Sequence, residues 1–420
     1  MELLEQIRLI DPMGETDRPV DLLLDGGKIQ AIAQTITDYP PDTQIVSGKG
    51  LIVGRGLVDL YSHSGEPGNE SRETLTDLNN AAMAGGFAKV AILPDTLPRL
   101  DNFQVVTALQ QTLAHKTHAT PRLNFWGAAI GANNTKQMNE LAELSSAVAG
   151  FYGRFNLSNL SLFKQLLEYL QPWHKPLAIA LEDNELTGNG TIREGSASIR
   201  YGMVGNPGCS ESAIVAAVLE IVAAIPTPIH IMRISTQRSV ELIAQAKQSN
   251  LPVTASVTWM HLLWDSDALD SYDPNLRLEP PLGNPSDQAA LIMGIKEGII
   301  DAIAIDHQAY TYEEKTVPFD LAPPGAIGLE IAFPLLWQHL VATKKLSAGE
   351  LWRAMSINPL QCLQQQPLEI APQNHNDLIL FDPQKTWIAN RANLKSPATN
   401  TPYYEQQITG KVIRNWYGKQ

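Results

Sequence analysis

The sequence predicts an α/β protein built on a parallel (β/α)8 barrel. Three observations predict it. Eight apolar, strand-length runs follow one another through the middle of the chain. Segments whose apolar residues recur at helical spacing separate them. Both ends read instead as short strands joined by turns, so the β-rich termini stand apart from the alternating middle.

Taken in order, residues 20–24 are apolar, Asp25-Gly26-Gly27 is turn chemistry, and 28–32 resume an alternating pattern, which predicts a hairpin. The eight barrel runs are 57–61, 88–93, 124–129, 147–152, 177–181, 229–232, 253–257 and 300–305. Helical stretches include 75–85, 162–170, 210–224, 239–250 and 286–298. Within 239–250, Val240, Ile243, Ala244 and Ala246 mark one face. Ser286 is the expected N-cap of the last of these helices and Gly298 its stop. Two strands close the chain, at 377–382 and 411–417.

The 420 residues are 44% hydrophobic and 18% charged, which suffices for a large core and excludes a disordered chain. Forty-four acids against 31 bases give a net charge of −13, the wrong sign for a bulk nucleic-acid binder. Two cysteines, Cys209 and Cys362, predict no disulfide framework and fit a reducing compartment. The first residues carry Glu2, Glu5 and Asp11 and no apolar core of a secretory signal. No apolar run is long enough to span a bilayer. The expectation is a cytoplasmic globular protein.

The active site of such a barrel lies at the C-terminal ends of its strands. These ends read Tyr61-Ser62-His63, Pro94-Asp95-Thr96, Ala180-Leu181-Glu182-Asp183, Met232-Arg233-Ile234-Ser235, Trp259-Met260-His261 and Asp306-His307. A hydrolytic metal site needs three or four convergent N, O or S ligands. His63 and Asp306 qualify. Ala180 and Arg233 do not, so the site is under-supplied.

Several segments carry a resemblance. They are Gly56-Leu-Val-Asp-Leu-Tyr-Ser-His63 with Glu66-Pro67-Gly68, Leu93-Pro-Asp-Thr96, and Ile229-His-Ile-Met-Arg-Ile-Ser-Thr236. Tyr272-Asp-Pro-Asn275, Pro280-Pro-Leu282, Asp301-Ala-Ile-Ala-Ile-Asp-His307, Glu313-Glu-Lys315 and Asn400-Thr-Pro402 continue it in order. Together they resemble the dihydroorotases of the amidohydrolase superfamily, and most closely its inactive, ligand-depleted members. The resemblance implies a metal-dependent-hydrolase barrel over 56–370 and a small composite β-sandwich from 1–55 and 371–420.

In that family zinc is held by a His-x-His pair, a bridging acid or modified lysine, two further histidines and an aspartate. Mapped onto this chain, the pair reads Tyr61 and His63, and Gly150-Phe-Tyr-Gly-Arg154 lacks a bridging group. The remaining ligand positions are Ala180, Arg233 and Asp306. Only His63 and Asp306 survive as metal positions, and Asp306 also falls on the general-base position. Substrate-pocket positions are altered too, at Gly65, Asp95, Glu279, Gly283 and Tyr310. Gly65 removes a carboxylate-clamping guanidinium, while Asp95 and Glu279 add negative charge. Arg233 is expected to stand in electrostatically for the metal and to reach Asp306.

His230, His261, His307, Trp259 and Trp264 read as packing or hydrogen-bonding residues, and Glu182-Asp183 as helix-capping carboxylates. The resemblance implies a non-catalytic, cofactor-free subunit of pyrimidine biosynthesis, part of an oligomer with aspartate carbamoyltransferase. Two alternatives stand beside it. One is an active dihydroorotase or related cyclic amidase with zinc on His63, Asp306 and Asp183. The other is a barrel that binds a small molecule without turnover.

Overall fold

The computed structural model describes residues 1–114, 120–131, 137–173, 175–372, 374 and 377–418. The last two residues of the expected terminal segment lie outside that range. Five strands open the chain: β1 (Glu2–Asp11), β2 (Thr16–Asp25), β3 (Lys28–Ala33), β4 (Gln44–Ser47) and β5 (Ile52–Arg55). Five barrel strands follow: β6 (Leu57–Ser62), β7 (Phe87–Ile92), β8 (Arg122–Ala128), β9 (Gly150–Phe155) and β10 (Leu177–Leu181). A two-stranded ribbon, β11 (Ile192–Arg193) with β12 (Gly205–Asn206), interrupts them. The barrel resumes with β13 (Ile229–Ile231), β14 (Val253–Thr258) and β15 (Ala302–Ala304), and the chain ends on β16 (Leu378–Ile388) and β17 (Gln407–Trp416).

The eight barrel strands pair in parallel in the order β15-β14-β13-β10-β9-β8-β7-β6. Backbone bonds close the ring: Asp306 N donates to Tyr61 O at 3.0 Å and His63 N to His307 O at 2.8 Å. The buried Asp59 carboxylate joins the same seam, accepting from Ile305 N at 2.7 Å and Ser62 Oγ at 2.5 Å. Burial pushes this carboxyl up to about 7. Inside the barrel, Ala178, Ala180, Ala302 and Ala304 leave room for Tyr61, Trp126 and Tyr152, so small and large side chains interleave.

The termini form one seven-stranded sheet, ordered β17-β16-β5-β1-β2-β3 with β4 against β1. The predicted 25–27 hairpin turn lies between β2 and β3, which pair antiparallel. The sheet curls on itself, because Trp416 on the far edge donates from Nε1 to Glu2 Oε1 at 2.7 Å. The sandwich expected of the termini takes this curled form.

Local signals set the helix ends. Thr74 caps Leu75–Gly85 by accepting from Asp77 N, and Gly86 ends it at φ 87°. Gly298 stops Pro285–Lys296 as expected, at φ 70°. Its N-cap, however, is Asn284 rather than Ser286. Pro285 fills the first helical position, where its missing N–H costs nothing, and Asn284 N donates to Asp287 Oδ2 at 2.8 Å. The fourth barrel strand also begins later than its apolarity suggests, at Gly150 rather than residue 147. Ala147 and Val148 are buried, but in a turn, with Ala147 N bonded to Leu144 O. Gly150 is where β9 meets its neighbours, since a Cβ there would lie 2.5 Å from Pro176 O. The shift carries Arg154 to the barrel mouth.

Candidate functional site: an arginine-filled barrel mouth

The seam that closes the barrel also builds the site. His63 and Asp306 each lie just past a strand end, and the backbone bonds across β6 and β15 bring them together. His63 Nε2 lies 3.3 Å from Asp306 Oδ1, and its Nδ1 meets Asp95 Oδ2 at 2.5 Å. Asp95 arrives from the loop after β7.

Arg233 enters from the end of β13. Its Nε donates to Asp306 Oδ2 at 2.7 Å and its Nη2 to Asp306 Oδ1 at 2.6 Å, a bidentate pair. The same Nη2 comes within 3.1 Å of His63 Nε2. The guanidinium reaches Asp306, as expected, and also lies against His63, a contact the sequence did not foretell. Burial alone would raise the Asp306 carboxyl, but the guanidinium outweighs it and holds the group well below the usual carboxylate range. For His63, burial disfavours the charge, yet Asp95 and Asp306 outweigh it and lift the imidazole to about 9.

Tyr61, near the end of β6, holds this pair from below. Its carbonyl accepts from Asp306 N, and its phenol oxygen accepts from Arg233 N at 3.2 Å. Its own proton goes to Ser256 Oγ at 3.0 Å, a direction set from the far end of the hydrogen-bonded chain, where Thr254 Oγ1 can only donate to the Ile229 carbonyl. Ser256 Oγ then donates to His230 Nε2 at 2.8 Å. His230 Nδ1 donates to Thr254 Oγ1 at 3.0 Å, and Thr254 to Ile229 O at 3.3 Å. Each donor in this buried chain has an acceptor, with His230 neutral. Burial lowers that imidazole to about 3.

The remaining positions divide. Asp95 and Glu279 line the same mouth cavity as His63, Arg154, Arg233 and Asp306. Gly65 does not reach it. A Cβ at Gly65 would lie 2.4 Å from Glu73 O and 2.6 Å from Asn69 O, so backbone fills the space of a side chain. Gly283 is packed likewise, with a Cβ position 2.6 Å from Asp287 Cβ. Tyr310 is buried, donates from its hydroxyl to Pro324 O at 3.1 Å, and lies between Arg72 and Lys315. Asp183 is committed as a cap, accepting from Glu185 N, Leu186 N and Leu157 N. Ala180 faces the barrel interior cluster.

His307 and His261 are structural. His307 Nε2 meets Glu73 and its Nδ1 accepts from Gly328 N, and His261 bonds Thr258 Oγ1 and Pro280 O. Trp259 is buried against Tyr403, and Trp264 packs on the same ring.

Sequence reasoning missed Arg154 as a mouth residue. Its Nε donates to Tyr152 OH at 3.0 Å and its Nη1 lies 3.8 Å from Glu279 Oε2. The alternation of β9, with Tyr152 inward, was the signal that places it there. Glu182 and Glu279 line a neighbouring cavity together with Arg154, and burial, with the Glu279 charge, raises the Glu182 carboxyl to about 7.

The donor set does not fit zinc. Its candidate ligands are one imidazole and one carboxylate, and a guanidinium lies against both. Among the described residues no group of three or more His, Cys, Asp or Glu side chains could hold a metal ion. No helix among them is long and apolar enough to cross a membrane.

A family model described as Dihydro-orotase-like matches residues 49–239. A Synechocystis protein, the "Probable dihydroorotase-like protein", is 42% identical over 97% of this chain and 98% of its own length. The dihydroorotase of Syntrophus aciditrophicus is 33% identical over 98% of this chain and 96% of its own. Among solved structures, the L-hydantoinase (dihydropyrimidinase) from Arthrobacter aurescens matches with a TM-score of 0.85. That match covers 99% of this chain and 94% of the other at 17% identity, a likeness of fold.

Proposed function

The chain belongs to the dihydroorotase-like family, and from that premise we propose that it has lost zinc-dependent hydrolysis and serves pyrimidine biosynthesis as a non-catalytic subunit. One observation carries the loss of hydrolysis: the Arg233 guanidinium sits on Asp306 and beside His63, the two ligand positions that remain. Hydrolysis in this family needs a dication that lowers the pKa of bound water to about 7. A permanent cation in that place repels a dication, and its two bonds occupy the carboxylate that would bind it. Asp306 is then an ion-pair partner rather than a general base.

The subunit role follows from the family's ligand-depleted members, and aspartate carbamoyltransferase is the partner this reading selects, in a mixed oligomer. The test starts with the chain purified after expression in excess zinc. We expect less than about 0.1 metal per chain and no ring opening of dihydroorotate. We also expect co-migration with aspartate carbamoyltransferase at micromolar concentration. One or two metals per chain with turnover would overturn the loss of hydrolysis and favour a rebuilt cyclic amidase. Independent migration of the two proteins would overturn the partner.

A further inference from the structure

Beside the mouth, bordered by Ala180 and Arg233, lies a cavity of about 220 Å³ that the reading above does not use. The ends of β9 and β10, the strand β12 and the start of the helix Cys209–Ala224 wall it. Drug-sized ligands occupy about 300–1,000 Å³, so an occupant of this space is smaller.

Two buried amides give the cavity its chemistry. Asn159 and Asn206 both line it and are 7% and 2% exposed. Asn159 Oδ1 accepts from Asn156 N at 2.9 Å. Asn206 Oδ1 accepts from Ser210 Oγ at 2.7 Å and from Arg193 Nη1 at 3.4 Å. A backbone N–H and a guanidinium can only donate, so neither amide can be turned over. Each Nδ2 therefore points away from those partners, with two N–H groups to give. Among the described residues neither nitrogen meets an acceptor, and neither is sealed in by its neighbours. Buried donors left unmet are costly, so both call for an acceptor from outside the chain.

The charges around them are largely matched. Arg233 is held by Asp306, and Arg154 Nη1 lies 3.8 Å from Glu279 Oε2. Glu211 accepts from the backbone and hydroxyls of Ser235 and Thr236. Glu182 adds carboxylate acceptors to the same wall. An anion would find no unmatched cation there and would meet Glu182. A cation would lie against Arg154 and leave both amides unmet. A hydroxyl group accepts from an amide and donates to a carboxylate at once. Phe155, Leu181, Met232 and Pro280 offer its carbon skeleton an apolar face.

We propose that this cavity binds a small neutral polyol of pentose size, with hydroxyl oxygens on the Asn159 and Asn206 amides and a hydroxyl proton on Glu182. The proposal goes beyond the loss of hydrolysis, and its test reads binding rather than metal content or turnover.

The test is a saturation-transfer NMR titration of the full chain with three probes. These are D-ribose (polyol), tetrahydrofuran (a cyclic ether, acceptor only) and succinate (anion). D-Ribose is expected to saturate with a Kd of about 1 mM, at least about tenfold tighter than either of the others. Asn159→Asp and Asn206→Asp keep the Oδ1 that the fold uses and exchange only the donor nitrogen for an oxygen. Each should weaken D-ribose binding about tenfold. The proposal is overturned if D-ribose does not bind at about 50 mM, or if tetrahydrofuran or succinate binds as tightly. Unchanged D-ribose affinity in either folded variant overturns it too. If a variant fails to fold, the three probes on the parent chain still decide.

Discussion

Arg233 and Asp306 meet through two parallel bonds of 2.7 and 2.6 Å, and both hold left-handed backbone, at φ 56° and 53°. Such a conformation costs a non-glycine residue roughly 1–2 kcal/mol, so each needs holding. Tyr61 does this for both, accepting Asp306 N with its carbonyl and Arg233 N with its phenol oxygen. The pair is consequently built into the barrel seam.

Removing one partner of this pair leaves the other charge buried. Arg233→Met and Asp306→Asn should each cost about 3–5 kcal/mol, while the double variant should cost clearly less than their sum. Urea denaturation of the four proteins measures the coupling. A coupling below about 0.5 kcal/mol would show that the pair is not the centre's organising contact.

Arg233→His exchanges the fixed cation for an imidazole beside His63 and Asp306. Three protein ligands suffice for a zinc site with an open position. Asp95 on His63 Nδ1 is already the kind of carboxylate that orients a ligating histidine. Zinc should raise the melting temperature of this variant and leave that of the parent chain unchanged. Equal responses in differential scanning fluorimetry would count against the displacement argument.

Tyr61→Phe removes the acceptor of Arg233 N and the donor to Ser256 Oγ in a site without water access. A loss of about 1–3 kcal/mol is expected, larger than for Tyr310→Phe, whose hydroxyl makes one bond to Pro324 O. Chemical denaturation at neutral pH ranks the two, and the reverse order would refute the role given to Tyr61.

His230 gives the chain an acid-sensitive point. Its folded pKa of about 3 lies below the ordinary value of about 6.5, so only the unfolded state takes up the proton in between. Its contribution to stability is complete above pH 6.5 and is lost as the pH falls towards 3. Between about pH 7.5 and 5 the stability advantage of the parent chain over His230→Gln should shrink by about 2 kcal/mol. A constant difference across that range would show that His230 titrates normally.

The sequence by itself determined the barrel, because parallel strands buried on both faces must be apolar throughout and so announce themselves. It determined the terminal hairpin as well, since Gly26 and Gly27 supply the positive φ of the turn between β2 and β3. It also determined which ligand positions could not bind metal, for ligand chemistry belongs to the side chain: Ala180 and Arg233 carry that reading wherever they point.

Only the tertiary structure decided where the Arg233 guanidinium goes, because its contact with Asp306 and His63 spans the barrel and depends on angstrom-scale placement. It decided that Gly65 and Gly283 are filled by neighbouring atoms, which no sequence spacing reveals. It moved β9 by three residues and so set Arg154 at the mouth, because burial of Ala147 and Val148 in a turn looks the same in sequence as burial in a strand. And it joined loops distant in the chain around Glu182 and Glu279, a closeness that arises only when the strands close into a ring.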